Sequence, residues 1–358
     1  MSVRLKPIAE QVVVLTGASS GIGLAAAHLL AEQGAALVLV ARNAEALETL
    51  AQEIRAQGGR ALAVRADVAR HEDLERVAEQ AISHFGGFDT WINNAGVSVY
   101  GTVDEVPLAD QRRVFDVNYW GVVQGSLIAA EYLRGKGGAI INTGSVLSDR
   151  AVVLQGPYSA SKHAVKAFTD TLRMELEHEG APVSVTLIKP SAIDTPFFEH
   201  ARSYLDSRGV WNPPPAYDPQ LAAEAMLYAC EHPKRDLVIG FSGYSASLLG
   251  ALFPRRTDRL MEATMVAWQK SDEPGRRERR DNLYAPREDG AARSSLAGRS
   301  RKTSLYLSAQ MHPWATLAIT AGLGLGLGLA GLAKAFSPAR PRGPRVRDGR
   351  LDLPQGEW

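Results

Sequence analysis

The amino-acid sequence predicts an α/β chain: a doubly wound parallel sheet in three α/β/α layers, followed by a C-terminal helical and apolar extension. Three observations carry that expectation. Short Val- and Leu-rich runs alternate with helix-length segments from residue 11 to about residue 250; a glycine turn, TGASSGIG, joins the first run to the first helix; and apolar residues in the longer segments recur at three- and four-residue spacing. Strands alternating with helices need a crossover over the sheet each time, so the strands run parallel and both sheet faces are covered.

Taken in order, QVVVL leads into GIGLAAAHLLAEQ, AALVLV into NAEALETLAQEIRAQ, and ALAVRAD into HEDLERVAEQAISHF. Further strand-length runs follow at DTWINN, GAIINTGS, VSVTLIKP and DLVIG. The expected domain covers residues 1–250. In 251–312, DRLMEATMVAWQKS has the pattern of an amphipathic helix, and the charged stretch after it, poor in apolar residues, reads as a linker or an extended arm. Residues 313–335 are apolar and Gly-rich, and 336–358 form a basic Pro- and Arg-rich tail.

A chain of 358 residues can bury a substantial core, which excludes disorder throughout. The net charge of +1 hides an asymmetry: residues 1–254 hold 21 Lys and Arg against 28 Asp and Glu, whereas 255–302 hold 13 against 8. A basic extension suits an anionic surface; the alternative is a solvated tail, and no nucleic-acid partner is expected. The single cysteine, Cys230, cannot form an intrachain disulfide, and MSVRLKPIAEQVVVLTG lacks the features of a secretory signal, so the expected compartment of the catalytic domain is a reducing cytoplasm.

In TGASSGIG, Gly17, Gly21 and Gly23 follow a strand and open a helix. Small residues there let backbone approach a pyrophosphate, whose charge meets N–H groups and the positive end of the helix dipole. A second match to a nucleotide pattern, GLGLAG at Gly326–Gly331, has no strand before it and no βαβ unit after it, and is read as accidental. Tyr158 and Lys162, four residues apart, share one helix face. A phenol of ordinary pKa near ~10 is a poor base at neutral pH, but a nearby cation would lower it and let it exchange a proton with a substrate oxygen. His28 and His163 have no companion ligands at suitable spacing, so no metal site is expected.

The G-x-x-x-G-x-G spacing, NNAG at 93–96, Asn118, the Ser145 that ends INTGS, YSASK at 158–162 and PSAIDT at 190–195 occur in an order that resembles the short-chain dehydrogenase/reductase family over roughly residues 9–250. The resemblance implies a Rossmann-type fold and an oxidoreductase acting on CH–OH or C=O groups, with Asn118, Ser145, Tyr158 and Lys162 as catalytic residues. It implies that Lys162 also holds the nicotinamide ribose, that Ser145 bonds the substrate oxygen and that Asn118 anchors a water. Gly17, Ser19, Ser20, Gly21, Ile22, Gly23, Asp67, Val68, Asn94, Ala95, Gly96, Pro190, Ile193 and Thr195 are implied cofactor contacts, Asp67 toward the adenine; alternatively Asp67 caps the loop before its helix. One departure is Ser191, where the family usually has glycine.

At the end of the second strand, where a carboxylate would bond the 2′-hydroxyl of NAD, stand Ala41 and Arg42. An arginine fork suits a 2′-phosphate, which points to NADP(H) over NAD(H). Phe197, Phe198, Tyr204, Trp211 and Tyr217 fall in the family's substrate-loop region and suggest a hydrophobic carbonyl or alcohol substrate, or simply a lid packed on the body. The resemblance also implies a homodimer or homotetramer. Residues 314–333 carry no charge over twenty positions, but five glycines weaken them as a helix, so membrane association through 313–335 is expected without a fixed spanning topology.

Overall fold

A computed structural model describes residues 3–205, 210–211, 213–270, 281–287, 290–295, 300–314 and 316. The GLGLAG stretch, most of the apolar segment 313–335 and all of the tail 336–358 lie outside the described residues.

Among the described residues nine strands occur in chain order: β1 (Val12–Thr16), β2 (Ala36–Ala41), β3 (Arg60–Arg65), β4 (Thr90–Asn93), β5 (Val99–Tyr100), β6 (Gly138–Thr143), β7 (Val183–Pro190), β8 (Arg202–Ser203) and β9 (Asp236–Ile239). Seven form one sheet in the order β3-β2-β1-β4-β6-β7-β9, parallel at every pairing, and β5 pairs with β8 beside it. The chain therefore winds outward from β1 in both directions, and the switch between β1 and β4 opens a crevice at their carboxyl ends.

The helices are α1 (Gly21–Glu32), α2 (Ala44–Ala56), α3 (His71–Phe85), α4 (Leu108–Phe115), α5 (Gly121–Leu133), α6 (Gly156–His178), α7 (Pro219–Glu231), α8 (Phe241–Leu252), α9 (Pro254–Trp268) and α10 (Leu305–Met311). Alternation along the strands sends Val13, Leu15, Leu37 and Leu39 toward α1, α2 and α7, and Val14, Val38 and Val40 toward α3, α5 and α6. These two cores are the outer contacts of the three layers. Helix starts are set locally: the Asn43 side chain accepts from Ala46 N–H at 3.1 Å, and Asp218 caps α7 with Pro219 at its first position.

Residues Met1–Met311 form one compact unit and His312–Trp358 a second. Within the first, the described residues of 281–295 run as an extended arm along the body, and Leu307 of α10 joins the core of α1 and α7. Of the second, Thr316 donates from its N–H and hydroxyl to the His312 carbonyl. Among the described residues no helix is long and apolar enough to cross a membrane.

Candidate active site

The first βα turn bends where only glycine fits. Gly17 has φ +68°, and a Cβ on it would stand 2.8 Å from the Ala95 Cα; a Cβ on Gly23 would stand 1.9 Å from the Gly17 carbonyl oxygen. The NNAG segment braces this turn from β4: Asn94 donates from its backbone to Thr16 Oγ1 at 2.9 Å and from its amide to the Thr16 carbonyl at 3.1 Å. Gly21, at φ +56°, sits against Thr195, whose Cβ would lie 3.2 Å from an added methyl. Its N–H is taken by the Ala291 carbonyl of the arm at 2.9 Å, so Gly21 serves the turn through its backbone angle and missing side chain.

A cavity of about 670 Å³ lies along the carboxyl ends of the strands. Of the residues expected at a cofactor, Gly17, Ser19, Ser20, Gly21, Ile22, Arg42, Asp67, Val68, Asn94, Ala95, Gly96, Pro190, Ile193 and Thr195 all line it, together with Ser145, Tyr158 and Lys162. Gly23 and Asn118 are not in its lining. Gly23 lies under the turn, and Asn118, fully buried, stands behind the wall in a single π-helical turn, Asp116–Trp120, between α4 and α5. That extra residue in the turn aims the side chain at Val97, accepting from its N–H at 2.8 Å and donating to its carbonyl at 2.9 Å. It also donates to Ser161 Oγ at 3.2 Å.

Ser145 follows β6 by two residues and caps the short 3₁₀ turn Val146–Ser148, its hydroxyl accepting from Leu147 N–H at 3.1 Å. Lys162, on α6, is buried and donates to the Thr143 carbonyl at 2.7 Å. Its ammonium lies 5.7 Å from the centre of the Tyr158 ring. The electrostatics differ from the sequence expectation. Burial pushes the Tyr158 phenol up to about 12, with the Ser145 hydrogen bond only partly opposing it, and burial brings the Lys162 ammonium down to about 8. Desolvation outweighs the Ser145 hydrogen bond, and the phenol is held as a proton donor.

Arg42 reaches the arm, donating from Nη1 to the Leu283 carbonyl at 3.4 Å and from Nη2 to the Asn282 carbonyl. Asp67 accepts from Arg113 at 2.6 Å and from Ala69 N–H at 3.1 Å, so it braces its own loop and also faces the cavity. Ser191 takes an ordinary backbone angle, since Leu154 is the one non-glycine residue with positive φ among the described residues. The loop is tied instead through Ser191 N–H to the Ile239 carbonyl at 3.0 Å.

Phe197 and Phe198 line the cavity together with Leu249 of α8 and Met261, Met265 and Trp268 of α9. The sequence singled out the two phenylalanines but not the helical residues, nor Asn282 and Arg287 of the arm, which also line it. Tyr204 and Tyr217 turn elsewhere: Tyr204 donates to Asp110 Oδ2 at 2.5 Å, and Tyr217 is buried in the core.

A glycine-cradled crevice at the switch point of a parallel sheet, with a buried tyrosine and lysine on one wall, defines a nucleotide-dependent oxidoreductase. The cradle would be filled by any Cβ at Gly17 or Gly23, and the cavity is long enough to join Arg42 to Tyr158, so the residues present fit a dinucleotide. Residues 11–205 match the short chain dehydrogenase family, and the chain belongs to it. It is similar to the uncharacterized oxidoreductase YxnA of Bacillus subtilis, with 47% identity over 322 residues, covering 89% of this chain and 90% of that one. Among solved structures it is similar to a short chain dehydrogenase/reductase from Burkholderia phymatum in complex with NAD, with 27% identity, a TM-score of 0.62 and coverage of 72% and 96%. An alcohol dehydrogenase from the archaeon Thermococcus sibiricus, complexed with 5-hydroxy-NADP, is 28% identical at a TM-score of 0.57, covering 64% and 95%.

Proposed function

We propose that the protein transfers hydride between NADP(H) and a carbonyl or alcohol, working as a reductase of a hydrophobic ketone or aldehyde. The observation that carries this reading is one cavity that joins Arg42, the glycine turn, the Ser145–Tyr158–Lys162 group and an apolar lining. The dinucleotide, when bound, supplies hydride at its nicotinamide ring. Ser145 holds the substrate oxygen by its hydroxyl, and Tyr158 gives that oxygen a proton from Oη, a donor role that its high pKa favours. Lys162 keeps a positive charge beside the phenol and favours the phenolate left behind. Asn118 fixes the turn behind them through its two bonds to Val97.

Preference for NADP(H) is supported by Arg42 and by the absence of a carboxylate at the end of β2. The hydrophobic substrate is supported by Phe197, Phe198, Leu249, Met261, Met265 and Trp268. A homodimer or homotetramer through α5 and α6 is supported by the exposed apolar residues Trp120, Leu127 and Met174 on that face. Membrane attachment of a cytoplasmic catalytic domain through 313–335 rests on the sequence alone, and carbonate washing of membranes from cells making the full chain tests it.

The test of the main reading is consumption of NADPH with a panel of apolar carbonyls. Turnover with NADPH, far slower with NADH, is expected. Dinucleotide binding without turnover on any carbonyl or alcohol would leave a binding module and overturn it.

A further inference from the structure

We infer that the arm at residues 281–287 is part of the cofactor site, with the side-chain oxygen of Asn282 accepting a hydrogen bond from the exocyclic amine of the adenine. This rests on the NADP(H) reading above and extends it to residues beyond the matched family segment.

The arm is held in place before any ligand arrives. Asp281 pairs with Arg202 at 2.8 Å, Arg202 pairs with Asp110 at 2.9 Å, and Tyr284 donates to Asp110 at 2.9 Å. Leu283 is fully buried in the core of α3 and α5. Its carbonyl accepts from Arg113 Nε at 3.0 Å, and the same guanidinium pairs with Asp67 at 2.6 Å. With Arg42 donating to the Asn282 and Leu283 carbonyls, the arm bridges the two residues read at the adenosine end.

Asn282 lines the cavity there, and its Oδ1 is buried with no hydrogen-bond partner among the described residues. A buried amide oxygen left unpaired is costly, so the site calls for a donor. Phosphate oxygens only accept. On the adenosine half of NADP two donors remain, the ribose 3′-hydroxyl and the exocyclic amine of the base, and the link from Leu283 through Arg113 to Asp67, the residue read at the adenine, favours the amine. Asparagine is suited to that edge of adenine, as its amide presents acceptor and donor side by side. The similarity to YxnA covers 89% of the chain and so extends through the arm.

The test is a fluorescence titration of the full-length protein with NADPH and with its hypoxanthine analogue, in which a carbonyl oxygen replaces the amine. Wild type is expected to bind NADPH at least about fivefold tighter than the analogue, the scale of one hydrogen bond. In Asn282→Leu and Asn282→Ala, NADPH binding weakens about fivefold and the preference over the analogue shrinks by a similar factor. Two variants guard against misfolding of either, and thermal unfolding without dinucleotide checks both. A preference over the analogue equal to that of wild type in both variants would overturn the inference alone. Wild type that binds neither NADPH nor NADH would overturn the cofactor reading with it.

Discussion

Replacing Lys162 with methionine separates what the site costs in stability from what it does. The ammonium is 3% exposed, donates to the Thr143 carbonyl at 2.7 Å, and has its pKa brought by burial from 10.5 to about 8. Holding that charge in the fold at pH 7 therefore costs about 3 kcal/mol. Methionine removes the charge but leaves the Thr143 carbonyl without this donor, a loss of about 1–2 kcal/mol. The dinucleotide-free variant should be more stable than wild type at pH 7 by about 1–2 kcal/mol, while turnover falls at least about a hundredfold. The pH dependence has a definite sign. Between pH 8 and 10.5 the unfolded chain keeps the Lys162 proton and the folded chain has lost it, so this group adds about 2 kcal/mol of stability from pH 7 to 9.5, of which the Cys230 thiol, pushed up from 9.0 by burial, takes back about 1 kcal/mol in wild type and variant alike. Tyr158, raised from 10 to about 12, removes stability only above pH 10 and leaves that window undisturbed. Urea unfolding of both proteins at pH 7 and 9.5 reads this directly. A variant less stable than wild type at pH 7, or one that keeps the wild-type rise with pH, would refute the reasoning.

Three further outcomes follow from the geometry. Tyr158→Phe should lower kcat by about 10²–10⁴-fold with the Kd for NADPH unchanged by fluorescence titration, because the ring stays and only the hydroxyl that carries the proton goes. Arg42→Asp should weaken NADPH by at least about tenfold and favour NADH, read as the ratio of kcat/KM for the two; an unchanged ratio would remove Arg42 from the 2′-phosphate site. Gly23→Ala must move the Gly17 carbonyl, 1.9 Å from the new methyl, and should cost about 3 kcal/mol or more in urea unfolding together with loss of dinucleotide binding.

Much of the fold was legible because its signals are local. β1 and β2 are apolar runs buried on both faces, and a glycine turn between a strand and a helix has few other uses. The cavity gathers most of the expected residues because most stand at or just after the carboxyl ends of parallel strands, a position the chain order itself dictates, and α6 brings Tyr158 and Lys162 to them. The π turn around Asn118 was not legible. Nothing in RVFDVNYWG marks it, since it depends on Val97 offering both an N–H and a carbonyl from another element. Nor was the high pKa of Tyr158: spacing along a helix gives its neighbours, but the burial that raises it involves Phe197 from the segment after β7, and the Ser145 hydroxyl that partly opposes it comes from the loop after β6. Phe197 stands with its ring centre 5.7 Å from that of Tyr158.

The arm shows why charge counts mislead at long range. A stretch rich in Arg and Asp with little apolar content satisfies the compositional rule for a solvated linker, because that rule supposes each charge keeps its water. Here Asp281 and Arg202 instead share their solvation with Asp110, a residue 4% exposed, and the buried side chain of Leu283 anchors the arm on the core. Asp110 accepts from Arg202, Tyr204 and Tyr284 at once, and those bonds hold its carboxyl below its ordinary pKa although burial pushes the other way. One carboxylate thus ties the substrate-loop region, the arm and α4 together. Removing it leaves Arg202 and two phenols without a shared acceptor, so the arm and the loop should loosen as one unit.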